Sequence, residues 1–558
     1  MKIHLPTKLL VLLIFLLAGM FRLWGVNWDQ NHHLHPDERF LTMVGIAMKE
    51  PATFAEYLNP ATSKFNPTNI GYPFYVYGTL PIVLTKLTVD SFNTTSYDMF
   101  TITGRILTAI ADLLILLLVY KIMRLFEKHY KLPKQIALWA MVAYALSVLP
   151  IQLSHFFAVD LYLTLFLFAS LYGMLKFTFE QQNRFLLFSA VAFGCAVSCK
   201  ITALIFFTLL IILFYHAVIH EHMRRPFRFK ALYRPFAMLC LYGIVVYITL
   251  RVADPYLFQS PNFFDLHPNT TWMANLQTLK AWSNPEAWYP PGVQWLHKTP
   301  VLFSLQNIAL FGLGLPLFFC MLVGIVRIIK HYHRTFLFLF VLWATAFFIY
   351  QSVQNVKSLR YFIMLYPFFA MFAGIGFYTL TKSLRKGFVA LALVILCIWP
   401  LMFISIYTKT NSRVAATEWI YNNLPADSVI LTEQWDDALP LRIDHPNKTF
   451  TITEMTVFDP DTTEKWMKID SLLQTGDYLI LSSNRGWGSI PTAPERYPQM
   501  SKFYEDLFNN KLQYKMMKTF TSYPSLEYLG IPLTIQDDIA EEAFTVFDHP
   551  KVIIFQKQ

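Results

Sequence analysis

Long apolar segments recur through the first 407 residues, and they constrain the fold more than any other feature. Each has about the length that a helix needs to cross a bilayer, and we place eleven of them at 8–26, 101–121, 135–153, 157–176, 185–199, 200–219, 235–253, 303–326, 335–351, 360–380 and 387–407. Charged residues make up only 15% of the 558 residues, against about 25% in soluble domains. A cytosolic enzyme, a disordered chain and a disulfide scaffold are excluded. We predict an α-helical polytopic membrane protein.

Lysine and arginine predict how these segments are oriented. They are concentrated in four short segments, at 121–134, 224–234, 327–334 and 382–386. With eleven spans and a cytoplasmic N-terminus, all four lie inside, as the positive-inside rule requires. The net charge of +10 is therefore an orientation signal, and we predict no nucleic-acid partner. The first apolar segment has no convincing cleavage site, so we predict a retained helix in a plasma or inner membrane protein.

Two domains follow from this arrangement. Residues 1–407 form a membrane domain whose larger loops, 27–100 and 254–302, are extracytoplasmic. Residues 408–558 have strand patterns at 428–432, 478–482 and 552–555, and helical patterns near Arg413 and at 498–513. About 150 residues suffice for one small domain. We therefore predict that the tail is an extracytoplasmic α/β domain.

Two adjacent carboxylates, Asp37 and Glu38, follow the first apolar segment. Two interpretations remain open. Pro36 and the two acids are typical of a helix N-terminus, where the helix dipole favours negative charge. Alternatively, a carboxylate at the membrane surface can act as a general base that takes the proton from an acceptor hydroxyl.

A second acidic segment lies between two apolar segments, at 155–160. Its last residue, Asp160, is costly there unless it is paired, hydrated or used, although an aspartate that merely forms a turn is the alternative. The predicted topology places Asp160 on the same side of the membrane as Asp37. With His155, Asp160 therefore predicts a site for a sugar or a cation.

Lys200 and Arg360 lie at the outer ends of apolar segments, against the positive-inside trend. Binding of a lipid phosphate would explain them, because arginine offers a bidentate fork and lysine a point charge. Snorkelling of the side chains to headgroups is the alternative. We assign Arg105 to the same lipid-phosphate group. Asp112, seven residues further along, is predicted to form a buried polar contact between helices.

Aromatic residues and prolines fill the rest of the outer loops. Tyr75 and Tyr77 lie at 72–81, and Trp288 begins a second such segment at 288–295. Their rings are candidates for stacking on an acceptor or a sugar. Anchoring of the loops at the membrane interface is equally consistent with the pattern.

Taken in order, these segments resemble the integral-membrane GT-C glycosyltransferases. The resemblance is to the phospholipid-carrier-dependent proteins of glycosyltransferase family 39, with protein O-mannosyltransferases and the lipid A aminoarabinose transferase in the wider group. The segments that carry it are His35-Pro36-Asp37-Glu38-Arg39-Phe40, Val76-Tyr77-Gly78-Thr79-Leu80-Pro81, His155-Phe156-Phe157-Ala158-Val159-Asp160, Gly312-Leu313-Gly314-Leu315-Pro316 and Arg360-Tyr361-Phe362. They run across most of residues 1–405.

The resemblance implies an inverting transfer of a sugar from a polyprenyl-phosphate donor to an acceptor hydroxyl at the outer membrane face. It implies that Asp37 is the general base with Glu38 as its neighbour, that Asp160 is the second acidic motif, and that Lys200 and Arg360 hold the phosphate. The acceptor would be a glycan, a lipid or a protein of the cell envelope. No cofactor is certain, the metal is unknown, and a divalent cation remains open.

Two other function classes remain open. A transporter or flippase of lipid-linked sugars would need a substrate path at the middle of the membrane. A scaffold would not need Asp37, Asp160, Lys200 and Arg360 on one side, so convergence of these four in an outer pocket favours the enzyme.

In the tail we recognise no catalytic motif. Its polar-aromatic clusters at 435–437 and 484–487 either contact sugar or form turns.

Overall fold

The computed structural model describes residues 6–219, 233–443 and 448–558, and most of these residues before 411 are helical. The α-helices there are Thr7–Leu23, Pro36–Ala47, Phe54–Tyr57, Leu80–Ser91, Tyr97–His129, Ile136–Ala145, Val148–Ser154, Asp160–Glu180, Asn183–Val197, Ala203–Phe214, Tyr233–Ala253, Thr270–Trp282, Leu302–Asn307, Leu315–His331, Phe336–Ser352, Tyr366–Thr381 and Lys386–Ile404. Short 3₁₀ or π turns join them at Pro67–Ile70, Tyr215–Ile219, Pro255–Leu257, Pro290–Trp295, Ile308–Gly312, Leu359–Leu365 and Ser405–Tyr407. The basic segment predicted at 224–234 lies mostly outside the described residues.

Several of these helices are suited to a membrane, and each predicted apolar segment contains helix. Within the described residues, five helices are long and apolar enough to cross one, and seven if each of two bent pairs counts as a span. The five are Tyr97–His129, Asp160–Glu180, Tyr233–Ala253, Leu359–Thr381 and Lys386–Asn423. Shorter apolar helices cover three further predicted segments. The protein is a membrane protein; the count of eleven spans and their orientation stay predictions.

The apolar segment predicted at 303–326 is a bent pair of helices that pass the length and hydropathy test for a span only together. Leu302–Gly312 and Leu315–His331 meet there at an angle of 118°. Gly314 lies between them with φ of +80°, a backbone conformation that residues with a Cβ rarely adopt. Pro316 occupies the first turn of the second helix, where its missing N–H is harmless. The bend therefore explains the glycines and the proline of the segment 312–316.

Two glycines bring a pair of apolar helices into close contact. A Cβ on Gly324 would clash with the carbonyl oxygen of Phe372, and a Cβ on Gly376 would clash with that of Cys320. Small residues at such contacts are typical of membrane helices, which associate through close packing. This contact fixes helix Tyr366–Thr381, which continues directly from the 3₁₀ turn that carries Arg360.

The tail forms a mixed five-stranded sheet with the order β2-β1-β3-β5-β4. The strands are β1 (Val429–Glu433), β2 (Thr451–Met455), β3 (Tyr478–Leu481), β4 (Tyr514–Phe520) and β5 (Val552–Lys557). Strand β1 is parallel to β2 and β3, and β5 is antiparallel to β3 and β4. The tail helices are Ser412–Asn423, Thr463–Thr475, Arg485–Ser489, Pro498–Phe508 and Glu542–Thr545, with 3₁₀ turns at Ile490–Thr492 and Glu527–Leu529. The predicted strands β1, β3 and β5 are confirmed; the side on which the tail lies stays a prediction.

Buried polar contacts fix the tail to the ends of the helices. His549 lies between two carboxylates, with Nε2 2.9 Å from Asp537 and Nδ1 2.5 Å from Asp548. Asp548 also accepts hydrogen bonds from the Tyr407 hydroxyl and from the side-chain amide of Gln152. Such buried charges are stable only when they are paired. The position of the tail over the helix ends is therefore well defined.

Candidate active site

A cavity of about 820 Å³ lies between the helix ends and the tail. Its walls come from the start of helix Pro36–Ala47, the end of helix Val148–Ser154, the segment 276–295, the turn Leu359–Leu365 and the tail. Polar and aromatic side chains from separate parts of the chain therefore face one enclosed space, as is typical of small-molecule sites.

Four of the predicted site residues form one chain of charges beside this cavity. Arg360 donates a hydrogen bond to Asp37, and its Nε lies 3.5 Å from Asp160 Oδ2. Lys200 donates to Asp160 Oδ1 at 2.8 Å. Two cations thus balance two carboxylates that are far apart in the sequence. Asp37 and Arg360 line the cavity, and Asp160 and Lys200 are joined to them by these ion pairs. Such a cluster beside a cavity is the arrangement expected of an enzyme and not of a scaffold.

Asp37 lies at a helix N-terminus, as the first interpretation of the acid pair predicts, and its role as a general base stays a prediction. It lies in the first turn of helix Pro36–Ala47, whose N-cap His35 accepts a hydrogen bond from the Glu38 amide at 3.4 Å. Its side chain is nevertheless 32% exposed and lines the cavity. Burial is the largest effect on Asp37 and acts to raise its pKa, but Arg360, His35 and Lys200 together outweigh burial and hold the pKa at about 2. Asp37 is therefore ionised at neutral pH and able to accept a proton.

Glu38 and Arg105 lie behind the cavity wall in a buried network. Arg105 Nε donates to Glu38 Oε2 at 2.8 Å, and Arg105 Nη2 donates to Asp29 Oδ2 at 2.7 Å. The Phe157 amide also donates to Glu38, at 2.7 Å. This network fixes the start of the helix that carries Asp37. Sequence reasoning did not identify Asp29, which lies just before the recognised motif.

The segment 76–81 positions Lys200. The Gly78 amide donates to the carbonyl oxygen of Cys199 at 2.9 Å, and a Cβ on Gly78 would clash with the carbonyl oxygen of Ser198. Thr79 donates to the buried Asp254 from both its amide and its hydroxyl. The glycine thus allows this loop to lie directly against the turn before Lys200.

Four further predicted site residues lie neither in this cluster nor on the described wall of the cavity. His155 is buried, with each ring nitrogen 2.8 Å from a backbone carbonyl and its ring stacked on Tyr407 at 3.7 Å. Tyr75 and Tyr77 line a separate cavity of about 20 Å³. Trp288 donates its indole N–H to the carbonyl of Phe458. All four predictions stay untested by this geometry.

A metal ion does not fit the residues that are present. Among the described residues, no group of three or more histidine, cysteine, aspartate or glutamate side chains could hold one. Asp37 and Asp160 already have Arg360 and Lys200 as partners. A divalent ion would have to compete with both cations, so no step is assigned to it.

Asp112 is the buried polar contact that we predicted. It lies on helix Tyr97–His129, about two turns after Arg105, and accepts hydrogen bonds from Arg22 and Tyr144. Arg22 of helix Thr7–Leu23 and Arg105 of helix Tyr97–His129 are therefore both held by carboxylates inside the protein. Paired groups of this kind hold membrane helices together.

Comparison with known proteins identifies the fold. Residues 85–254 match the family of dolichyl-phosphate-mannose-protein mannosyltransferases. No curated protein matches the chain significantly. The structure of the Archaeoglobus fulgidus oligosaccharyltransferase superposes with a TM-score of 0.51 at 13% identity, over 98% of this chain and 88% of that one. The chain has the GT-C fold. The resemblance carried by the five motifs is thereby confirmed.

Two further GT-C structures are more distant. ArnT from Cupriavidus metallidurans bound to undecaprenyl phosphate has a TM-score of 0.47 at 13% identity, over 99% of this chain and 98% of that one. The protein O-mannosyltransferase complex of S. cerevisiae bound to the sugar donor has a TM-score of 0.33 at 19% identity, over 45% and 34%. Both superpositions are too loose to support residue correspondence.

In this GT-C chain the tail adds charge pairs to the cavity wall. The pairs are Arg39 with Asp437 at 2.7 Å, Arg413 with Asp436 at 2.5 Å, and Arg485 with Glu542 at 2.8 Å. The two aspartates and Arg485 belong to the polar-aromatic clusters that the sequence shows. The sequence did not identify Arg39, Arg413 or Glu542 as site residues, although Arg39 lies within the first motif.

Glu541 joins the tail to the turn that carries Arg360. Its carboxylate accepts a hydrogen bond from the Leu359 amide at 2.6 Å, and its own amide donates to Asn307 at 2.8 Å. The residue is 2% exposed, and burial raises the pKa of Glu541 to about 8. At neutral pH the side chain is therefore an uncharged acid.

Replacing Glu541 with glutamine should make the protein less sensitive to rising pH. The folded state keeps a proton on Glu541 up to about pH 8, whereas the unfolded chain loses it near 4.5. Each pH unit between these values therefore costs the wild type about 1.4 kcal/mol of stability, and the glutamine variant avoids that cost. Thermal unfolding in detergent from pH 5 to 8 measures the difference. Glu454→Gln, on an exposed strand position, is the control, and parallel curves for Glu541→Gln and wild type would contradict the assignment.

Proposed function

We propose that the protein transfers a sugar from a polyprenyl-phosphate donor to an acceptor hydroxyl, with inversion at the anomeric carbon. The observation that carries this proposal is the convergence of Asp37, Asp160, Lys200 and Arg360 beside one cavity at the helix ends. The GT-C fold supports the reaction class. The A. fulgidus relative is described in complex with a dolichol-phosphate, which supports a lipid-phosphate donor.

Asp37 is the general base of the proposed reaction. The acceptor oxygen attacks the anomeric carbon while the bond from that carbon to the phosphate oxygen breaks. The electron pair of the broken bond stays on the phosphate, and the proton of the acceptor hydroxyl passes to Asp37. A hydroxyl is a weak nucleophile, so the reaction needs a base at this point. Asp37 has the required position on the cavity wall.

Lys200 and Arg360 stabilise the phosphate that leaves. A lipid phosphate departs readily once its developing charge is neutralised, and fixed cations in a site shielded from water do this effectively. In the free protein, both cations are held by carboxylates. Asp160 contacts both cations and so holds them close together.

Binding of the donor activates Asp37. Of the groups that hold the pKa of Asp37 at about 2 against the effect of burial, Arg360 contributes most, and a carboxylate of such low pKa is a poor base. When the guanidinium turns toward the donor phosphate, Asp37 loses this partner and its pKa rises. The mechanism is therefore ordered, with the donor bound before the acceptor loses its proton.

The position of the cavity favours this proposal over a transporter. A transporter of lipid-linked sugars would have its substrate path at the middle of the membrane. The described wall of the cavity instead comes from helix ends and the tail. We place the site on the outer face of a plasma or inner membrane, as the basic segments predict, with a glycan, a lipid or a protein as acceptor.

Donor consumption tests the proposal. Purified protein in lipid nanodiscs is given radiolabelled polyprenyl-phosphate hexoses, and the release of polyprenyl phosphate is followed with a membrane extract as the source of acceptors. We expect release with at least one hexose. Movement of intact donor between the leaflets of a vesicle, without release of polyprenyl phosphate, would support the transporter instead.

Replacing Lys200 with methionine should raise the KM for the donor roughly tenfold or more, because a charge-assisted contact to the phosphate is lost. Methionine keeps most of the length of the side chain. Steady-state kinetics of donor consumption measure the change. Lys468→Met, on an exposed helix face of the tail, is the control. An unchanged KM would remove Lys200 from the phosphate site.

A further inference from the structure

The part of the cavity that lies under the tail contains aromatic side chains that the proposed transfer does not use. Trp282 and Tyr289 stack with ring centroids 5.7 Å apart and planes 6° apart. Trp435 packs edge-on against Tyr289, with centroids 6.4 Å apart. All three line the cavity. Trp282 and Trp435 are 37% and 41% exposed, so much of each ring is free to contact a ligand.

The backbone holds Trp435 in an unusual conformation. Its φ is +68°, in the left-handed region that bulky residues rarely adopt. The carbonyl of Trp435 accepts a hydrogen bond from Arg485, and the Asp437 amide donates to the Asp436 side chain at 2.9 Å. Strain of this kind persists where the surrounding structure imposes it, and it is concentrated at ligand sites. Here it keeps the indole on the cavity wall.

The polar groups around these rings are suited to a neutral ligand. Arg39 pairs with Asp437, Arg413 with Asp436, and Arg485 with Glu542, so these six charges balance one another. Lys280 also lines the cavity.

Two carboxyl oxygens on the same wall still need partners. Within the described part of the chain, Glu541 Oε1 and Glu542 Oε2 are buried and make no hydrogen bond. Their residues are 2% and 7% exposed, and both line the cavity. A buried polar atom without a partner is costly. Hydroxyl groups can satisfy both oxygens, because a hydroxyl donates and accepts.

We propose that this wall binds the acceptor and that the acceptor is a neutral saccharide. The aromatic rings present flat apolar faces to the sugar rings; they are those of Trp282, Tyr289 and Trp435. The paired charged groups and the two carboxyl oxygens without partners form hydrogen bonds with the hydroxyls of the saccharide. The inference rests on the proposed function, since it names the class of molecule whose hydroxyl meets Asp37. A peptide or a charged lipid headgroup would match an aromatic wall whose charges are mostly paired less well than a neutral saccharide.

Binding without any donor tests this site separately from the transfer reaction. The full chain in nanodiscs is titrated with neutral hexasaccharides of glucose and of mannose, and binding is measured by calorimetry. We expect wild-type binding to at least one of them, and roughly tenfold weaker binding by Trp435→Ala. Trp435→Phe keeps an aromatic face and should bind within a few-fold of wild type. Trp24→Ala, at a position that is 56% exposed and does not line the cavity, should match wild type.

Three results would overturn the proposal. They are the absence of saccharide binding by the wild type, equal binding by wild type and Trp435→Ala, and Trp435-dependent binding of a serine- and threonine-containing peptide in place of the saccharides. Trp435-dependent saccharide binding by a protein that consumes no donor would support this site and refute the proposed transfer, so the two failures are distinguishable.

Discussion

Replacing Asp37 with asparagine should lower the rate of sugar transfer by about 10²–10⁴-fold, the usual contribution of a general base. Asparagine has nearly the same shape but cannot take the proton of the acceptor hydroxyl. The release of polyprenyl phosphate from a radiolabelled donor measures the loss. Binding of the donor should be kept or improved, because Arg360 no longer has Asp37 as a partner.

The affinity for the donor separates a lost base from a damaged site. A variant that neither binds nor consumes the donor would indicate that Asp37 supports the site mainly through Arg360. Asp98→Asn is a matched control, because Asp98 is 51% exposed and pairs with His33. Equal donor consumption by Asp37→Asn and wild type would exclude Asp37 from the mechanism.

Replacing Arg105 with leucine should destabilise the protein by about 3–5 kcal/mol, as is usual when one partner of a buried ion pair is removed. Arg105 is fully buried, and its loss leaves the carboxylates of Asp29 and Glu38 without their cation. Unfolding by denaturant in detergent, followed by tryptophan fluorescence, measures the change.

The same helix provides the control for this variant. Arg124 is 45% exposed and pairs with Glu127 one turn away, so Arg124→Leu should cost less than about 1 kcal/mol. If the Arg105→Leu protein is stable but binds the donor more weakly, the result would support the prediction from the sequence that Arg105 binds the lipid phosphate. A stable protein with normal donor binding would leave the buried network without a measurable role.

The convergence of the charged residues could be predicted from the sequence because each lies at the end of an apolar segment. Residues at the same ends of packed helices lie in one layer. The predicted topology therefore already places four charged residues close together: Asp37, Asp160, Lys200 and Arg360. The roles of Asp37 and Glu38 could not be separated in this way. They are adjacent on a helix and point in directions about 100° apart, and only the rotation of that helix decides which one faces the cavity.

The contacts made by the tail could not be predicted from the sequence either, for a different reason. Glu541 contacts the Leu359 amide across a sequence separation of 182 residues, and no local pattern marks such a pair. The edge strands β2 and β4 were also missed, because their exposed and polar side chains give neither the apolar run of a central strand nor a clear alternation. The three inner strands, β1, β3 and β5, have buried apolar runs and were found.

The contact between Glu541 and Leu359 also sets an order of assembly during synthesis. The turn that carries Arg360 and the last apolar helix, Lys386–Ile404, are made long before the ribosome reaches Glu541. Until the tail has folded, the Leu359 amide lacks its buried acceptor and the cavity lacks one wall. A nascent chain whose helices are already inserted in the membrane therefore does not yet have a complete cavity. The cavity is therefore complete only after the tail has folded against the turn that carries Arg360.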